Sequence, residues 1–140
     1  MRVLTIGGGP GGLYSGILLK KAFPDAEVRI LERNQPDDTF GWGVVFSDET
    51  LSGFEEADAK SFSEIRSNFA YWSDIETFYP GGRVLSTGHG ICGLSRKKLL
   101  NILHDRCREL GVELEFGVEV DDLDAHGEHD LVIAADGVNS

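Results

Sequence analysis

The chain has 140 residues, 41% of them hydrophobic, which is enough to form one domain with a sizeable core; two domains are not expected. Its 13 basic and 24 acidic residues give a formal net charge of −11. That charge argues against nucleic acid or an anionic membrane as a partner, because both require a positive surface. Cys92 and Cys107 lack metal-ligand spacing, and no apolar run reaches membrane-spanning length. We therefore expect a cytoplasmic protein with reduced thiols and no metal site.

The first 32 residues predict a βαβ unit. The apolar run Val3–Ile6 is typical of a buried strand, and Leu13–Phe23 is compatible with a helix. A second β-rich run, Val28–Leu31, follows and is closed by Glu32. This order of elements is the one in which a glycine-rich turn between strand and helix can bind a dinucleotide.

The turn carries a G-x-G-x-x-G pattern formed by Gly7, Gly9 and Gly12. We expect the first glycine to permit a tight turn, the second to let the backbone approach a pyrophosphate, and the third to let the helix pack on the strand. Glu32 lies 20 residues after Gly12, where its carboxylate would accept a hydrogen bond from a ribose hydroxyl. The pattern predicts an adenine dinucleotide without separating FAD from NAD. The predicted cofactor-binding residues of this loop are Gly7, Gly9, Pro10, Gly11 and Gly12.

The middle of the chain predicts less regular structure. Residues 34–48 are typical of a long loop that ends in a short apolar stretch. Residues 49–70 are compatible with two short helices that break near residues 58–61. Alternating runs at Ile75–Tyr79 and Arg83–Thr87 flank Pro-Gly-Gly, which predicts a β-hairpin.

The last third of the chain predicts a helix followed by strands. After a glycine-rich connection at residues 88–93, Ser95 is a candidate N-cap. The helix should end at Gly111, and one of its faces is apolar, formed by Leu99, Leu103, Cys107 and Leu110. Strands are expected over residues 112–116, 118–123 and 130–135, the last of them buried. The chain also contains histidines that we expect on the surface: His104, His126 and His129.

Three motifs together resemble the class A flavoprotein monooxygenases, the aromatic hydroxylases with the p-hydroxybenzoate hydroxylase fold. They are the glycine loop with Glu32-Arg33, the segment Ser95–Leu99, and Asp136-Gly137 after an apolar strand. The resemblance implies an α/β fold, a Rossmann-like FAD/NAD(P)-binding domain with a parallel sheet and a small β-hairpin insertion. It also favours FAD over NAD as the resident cofactor.

The resemblance further implies roles for individual residues. Asp136 and Gly137 would lie near the FAD pyrophosphate, and Arg96 would reach toward the flavin. Arg33 would lie against the adenosine end, and the backbone near Val120 would hold the adenine. No residue is identified as catalytic. The loop implied to lie near the isoalloxazine ring consists of Gly41, Trp42, Gly43, Val44 and Val45.

The activity that the resemblance implies is hydroxylation of an aromatic substrate with O2 and either NADH or NADPH as transient electron donor. The stretch 37–48, with Gly88-His89-Gly90, resembles a narrower branch that includes salicylyl-CoA 5-hydroxylases and 2-aminobenzoyl-CoA monooxygenases. The substrate could then be a coenzyme A thioester, and a homo-oligomer is possible.

The family's third motif, a Gly-Asp pair, does not occur in these 140 residues. Residues 1–140 are thus expected to be the N-terminal portion of an FAD-binding domain, without a substrate domain and inactive alone. Two alternatives stay open, a non-catalytic dinucleotide-binding module and the NAD-binding domain of a dehydrogenase.

Overall fold

The computed structural model describes residues 1–38 and 41–137, with the backbone alone at residues 48–50 and 52. Its strands are β1 (Arg2–Ile6), β2 (Glu27–Glu32), β3 (Gly43–Ser47), β4 (Ala70–Trp72), β5 (Ile75–Tyr79), β6 (Gly82–Ser86), β7 (Ile91–Ser95), β8 (Glu113–Phe116) and β9 (Leu131–Ala134). Its helices are α1 (Pro10–Ala22), α2 (Asp48–Ala57), α3 (Ala59–Ser67) and α4 (Arg96–Glu109), with a 3-10 turn at Asp124–His126. None of these helices is long and apolar enough to cross a membrane.

The chain divides into two compact units. The first combines residues 1–40 with 97–140, and the second spans residues 41–96. In the first, a parallel sheet has the strand order β8-β2-β1-β9. The expected α/β fold with a parallel sheet is therefore confirmed, and the βαβ unit at its start has the predicted order. Its fully buried side chains include Leu4, Leu13, Ile17, Ile30 and Leu31.

The predicted apolar face of α4 is confirmed for three of its four residues, whereas Leu110 lies just past the end of the helix and is half-buried. Leu99, Leu103 and Cys107 are each at most 4% exposed, and the helix is followed by Gly111 at φ +78°. The Cys107 thiol donates to the Leu13 carbonyl over 3.4 Å, and burial raises its pKa to about 12. This cysteine is a core residue and not a reactive thiolate.

One prediction about this helix is wrong. His104 was expected on the surface, yet it is 4% exposed and meets the Phe116 ring edge-on at 5.1 Å between centroids. Burial lowers the pKa of His104, and the charge of Arg108 lowers it further. Helical periodicity explains the burial, because position 104 lies four residues after the buried Leu100 and three before the buried Cys107, and Phe116 of β8 packs against its ring.

In the second unit, an antiparallel sheet has the order β3-β7-β4, and β5 and β6 form a separate hairpin. The hairpin confirms the prediction at Ile75–Tyr79. The expected pair of short helices is also confirmed, since α2 ends and α3 begins around the buried Asp58. The Asp58 carboxylate accepts a hydrogen bond from the Ser61 N–H at 3.1 Å and so caps α3.

Several boundaries in the middle of the chain were wrong. The stretch 34–48 contains a strand, β3, at its end, and the second half of the glycine-rich segment 88–93 belongs to β7. Both errors have one cause: β7 is the central strand of its sheet and buries Cys92 and Gly93 between two neighbours, which local glycine content does not reveal.

The C-terminal strands also differ from expectation. Residues 118–123 form no strand: the Val118 N–H donates to the Glu32 carbonyl over 3.0 Å, but no strand pairing is described for the residues after it. The final strand forms but is not buried: Leu131 and Val132 are 43% and 41% exposed. In the described sheet β9 lies at an edge, where it has a neighbour on one side only.

Candidate dinucleotide site

Two glycines of the first unit's loop are required by close packing. Gly7 adopts φ +103°, and a Cβ there would lie 2.4 Å from the Ala135 carbonyl oxygen. A Cβ on Gly12 would lie only 1.9 Å from the Gly7 carbonyl oxygen. Both contacts are with backbone atoms that cannot rotate away. A side chain at Gly12 would therefore push the start of α1 off the end of β1, and one at Gly7 would push the loop away from the chain that follows β9.

Two other glycines of the loop are left open. A Cβ on Gly9 or Gly11 would meet no described heavy atom within 4 Å. Gly9 is the N-cap of α1, no described side chain caps this helix, and its first turn holds no acid. Pro10 occupies the first helical position, where its missing N–H costs nothing. The result is a helix N-terminus with unsatisfied N–H groups and a positive dipole end, which suits a phosphate.

Glu32 is held beside this loop by three hydrogen bonds. The Gly8 N–H donates to Oε2 over 2.7 Å. The Asn34 backbone N–H and its Nδ2 both donate to Oε1, over 2.8 and 2.5 Å. A carboxylate has about four acceptor positions, so one remains, on Oε2. The predicted ribose-binding carboxylate is thus fixed in place with a free acceptor position next to the glycine loop.

Asn34 and Gly8 were not among the predicted site residues. Asn34 lies two residues past the acid, and a short amide at that spacing is typical of local side-chain hydrogen bonding. That signal could have identified it. Gly8 could not have been identified in this way, because its contact with Glu32 spans 24 residues and depends on the pairing of β1 with β2.

The second predicted motif lies next to the first. The Ala135 N–H donates to the Ile6 carbonyl over 2.7 Å, which carries β9 on to the end of β1. A Cβ on Gly7 would be 2.7 Å from the Asp136 nitrogen, so the two motifs share a backbone contact. Asp136 and Gly137 are themselves exposed, and Gly137 adopts φ +87°. The structure therefore brings the glycine loop, Glu32 and Asp136 to one end of the sheet.

The predicted adenosine-side residues are adjacent to this site. The exposed Arg33 places Nη1 4.0 Å from Glu119 Oε1. Val120 follows that glutamate directly and is half-buried. The segment is tied to the end of β2 because the Gly117 N–H donates to the Asn34 carbonyl over 3.2 Å. Arg33 and the backbone near Val120 thus flank the same strand end.

The remaining predicted residues belong to the second unit. The Arg96 N–H donates to the Trp42 carbonyl over 3.3 Å, and Gly43 pairs with Ser95 across β3 and β7. Trp42 is 98% exposed and Val45 is 61% exposed, whereas Val44 is half-buried. Gly41 adopts φ +91°. The structure therefore joins Arg96 to the predicted loop, and a role of either toward the flavin stays a prediction.

His89, part of the Gly88-His89-Gly90 motif, has partners from the hairpin region. Its Nε2 shares a hydrogen bond of 2.6 Å with the Ser86 hydroxyl, and its N–H donates to the Ser73 carbonyl over 2.8 Å. These contacts hold the chain as it leaves β6, which is a structural task.

Comparison with known proteins identifies the family. The model of the FAD binding domain family matches residues 1–140. A salicyloyl-CoA 5-hydroxylase from a Streptomyces species is 46% identical over all 140 residues, which span 27% of that relative. The 3-hydroxy-4-methyl-anthranilyl-[aryl-carrier protein] 5-monooxygenase of Streptosporangium sibiricum is 32% identical over the whole chain, which spans 39% of it. One of these relatives is named as a hydroxylase and the other as a monooxygenase.

The fold comparison agrees. A solved structure of a 2-methyl-3-hydroxypyridine-5-carboxylic acid oxygenase variant superposes with a TM-score of 0.81 at 26% identity, covering 99% of this chain and 40% of that one. The chain therefore spans well under half the length of the proteins it resembles. The family match counts against the NAD-binding domain of a dehydrogenase, and the chain belongs to the FAD binding domain family.

Proposed function

We propose that this chain binds FAD through the glycine loop, Glu32 and Asp136, and forms the N-terminal portion of the FAD-binding domain of an aromatic hydroxylase. The observation that carries the proposal is the contrast within the loop. Gly7 and Gly12 are closed by packing, whereas Gly9 and Gly11 leave an open cradle at an uncapped helix N-terminus. If Gly9 were a glycine only for reasons of packing, an added Cβ would meet a neighbouring atom, and it meets none among the described residues.

The residues have distinct tasks in this proposal. The N–H groups at the start of α1 bind the pyrophosphate, and Glu32 accepts a hydrogen bond from the adenosine ribose. Arg33 packs its planar guanidinium on the adenine, next to the backbone of Val120. Asp136 and Gly137 border the pyrophosphate. Arg96 and the loop from Gly41 to Val45 serve the flavin end.

When bound, FAD supplies the redox chemistry, taking electrons from NADH or NADPH and using O2 to hydroxylate an aromatic ring. The chain's own contribution is binding and orientation, and no described side chain is assigned a proton-transfer role. We propose that the complete protein acts on a small aromatic substrate. An aromatic acyl thioester is the narrower candidate, because one relative is named for a coenzyme A thioester and another for a carrier-protein thioester.

We also propose a cytoplasmic location, supported by the buried free thiols of Cys92 and Cys107. Self-association of the complete protein is a further proposal. Its support is that the pyridinecarboxylic acid oxygenase has been solved in a tetrameric form, which superposes with a TM-score of 0.71 at 25% identity.

Substitutions in the loop test the placement of the cofactor. Gly9→Val has room in the protein but would fill the pyrophosphate cradle, and Glu32→Ala removes the ribose acceptor. We expect each to weaken FAD binding about tenfold or more, since a hydrogen bond to a charged group contributes about 1.5–3 kcal/mol. The matched control is Gly53→Val, where a Cβ also meets no described atom within 4 Å. FAD titrations in which all three variants bind like wild type would contradict the proposal.

A further inference from the structure

Asn34 directs its backbone N–H and its side-chain amide at the same carboxylate oxygen of Glu32. The backbone N–H lies 2.8 Å and Nδ2 lies 2.5 Å from Glu32 Oε1. Because Oε1 then has both acceptor positions filled, it cannot accept a hydrogen bond from a ligand. The other oxygen, Oε2, accepts only from the Gly8 N–H at 2.7 Å. The arrangement therefore leaves Oε2 as the carboxylate oxygen that can accept a hydrogen bond from a ligand.

Fixing this carboxylate has a consequence for binding. The last torsion of a glutamate is broad and is not held by rotamer preference alone. Three donors, one of them the Asn34 side chain, together set the plane of the Glu32 carboxylate before a ligand arrives. A preoriented acceptor loses less conformational freedom on binding, so its hydrogen bond contributes more to affinity.

The side chain of Asn34 has no described partner besides Glu32. The structural contribution of this residue is made by its backbone, whose carbonyl accepts from the Gly117 N–H. The backbone N–H to Oε1 is likewise independent of the side chain. Replacing the side chain therefore removes one donor from Glu32 and leaves the connection to residue 117 in place.

We propose that Asn34 is a positioning residue for Glu32, and that it sets the affinity of this chain for the adenosine half of a dinucleotide. The inference rests on the proposed FAD site. The residue acts only through the carboxylate, so its effect must disappear when the carboxylate is absent. A merely structural role would have no such dependence.

The test is a double-mutant cycle with ADP as the probe, measured by isothermal titration calorimetry on the 140-residue chain. The variants are Asn34→Ala, Glu32→Ala and the two combined, with Gly53→Val as control and thermal unfolding recorded for each. We expect Asn34→Ala to weaken ADP binding about three- to tenfold, because the Glu32 side chain must then be ordered when the ligand binds, at a cost of about 0.5–1.5 kcal/mol. The double variant should bind no more weakly than Glu32→Ala alone.

A second variant serves if Asn34→Ala does not fold. Asn34→Asp places a second carboxylate against Oε1, and two like charges at that distance raise the pKa of the pair. Relative to wild type, its ADP affinity should be lowest near pH 8 and should recover toward pH 5, because one shared proton restores a donor.

The outcomes separate the inference from the function on which it rests. If Glu32→Ala weakens ADP binding but Asn34→Ala does not, or if the two losses add in the double variant, the positioning role is overturned and the site stands. A flat pH profile for Asn34→Asp overturns it as well. If wild type fails to bind ADP, or Glu32→Ala binds like wild type, the proposed FAD site itself is overturned.

Discussion

The two units of this chain bury their side chains very differently. In the first unit, the side chains that are at most 2% exposed include Leu4, Leu13 and Leu103, contributed by a parallel sheet and the helices beside it. In the second unit, large aromatic residues face solvent: Trp42 is 98% exposed and Phe78 is 71% exposed.

Besides a few buried hydrophobic residues, namely Phe62, Ile65, Cys92 and Leu94, the second unit contains a partly buried aromatic cluster. Phe46 lies 5.8 Å from Phe54 and 5.6 Å from Phe69, and Phe69 meets Tyr71 edge-on at 5.8 Å, all between ring centroids. Such pairs contribute about 0.5–1.5 kcal/mol each beyond burial. We infer that the first unit carries most of the stability, and that substitutions of equal size will cost far more there.

The largest effect is expected at Gly12. Gly12→Ala places a Cβ 1.9 Å from a backbone oxygen, which forces α1 away from β1 and should lower the free energy of unfolding by about 3 kcal/mol or more. Gly11→Ala, one position earlier in open space, should change it by less than about 1 kcal/mol. Urea denaturation of both variants measures the difference. Equal stabilities would show that the loop is not packed as described.

A matched pair of apolar truncations compares the two units directly. Leu103→Ala removes a side chain that is 2% exposed in the first unit and should cost about 2–5 kcal/mol. Phe78→Ala removes a larger but 71% exposed side chain in the second and should cost less than about 0.5 kcal/mol. Urea denaturation measures the loss of stability in both variants. A large cost at Phe78 would mean that its ring is covered in solution.

The smallest effect is a pH dependence carried by the first unit. The pKa of Glu115 is lowered below 4.5, chiefly by its hydrogen bonds with Arg29, and the pKa of His104 is lowered below 6.5 by burial. Both shifts favour the deprotonated folded state. The contribution of each group to the stability of the folded state is therefore fully present above the pKa that the group has in the unfolded chain. It is lost as the pH falls through the lower pKa that the group has in the folded protein.

Stability should thus decline first below about pH 6.5, through His104, and again below about pH 4.5, through Glu115. One group contributes a slope of at most about 1.4 kcal/mol per pH unit. His104→Leu should flatten the upper part of the curve and Glu115→Gln the lower part, in denaturation series from pH 8 to pH 3.5. Unchanged curves would contradict the burial of His104 and the ion pair of Glu115.

The sequence predicted the first unit better than the second for a physical reason. The strand Val3–Ile6, the glycine loop and Glu32 are close in sequence, and their pattern reflects local steric and packing requirements. In the second unit the decisive facts are long-range. Gly93 looks like part of a flexible connection, and only its place between β3 and β4 makes it a central strand residue.

The same distinction applies within the candidate site. The contact of Gly7 with Asp136 spans nearly the whole chain, and only the resemblance to a known family suggested it. The burial of His104 depends on where β8 lies, and the exposure of Leu131 on its edge position. The hydrogen bonds of Asn34 to Glu32 are local, and a short amide after a strand-ending acid was a signal present in the sequence.

The most direct test of the central claim is the visible absorbance spectrum of the purified chain, before and after FAD is added and the excess is removed by dialysis. We expect a flavin band to remain after dialysis of wild type and to be lost in Gly9→Val. A colourless wild-type chain that binds NAD tightly instead, or one that binds neither dinucleotide, would contradict the assignment of these 140 residues as an FAD site.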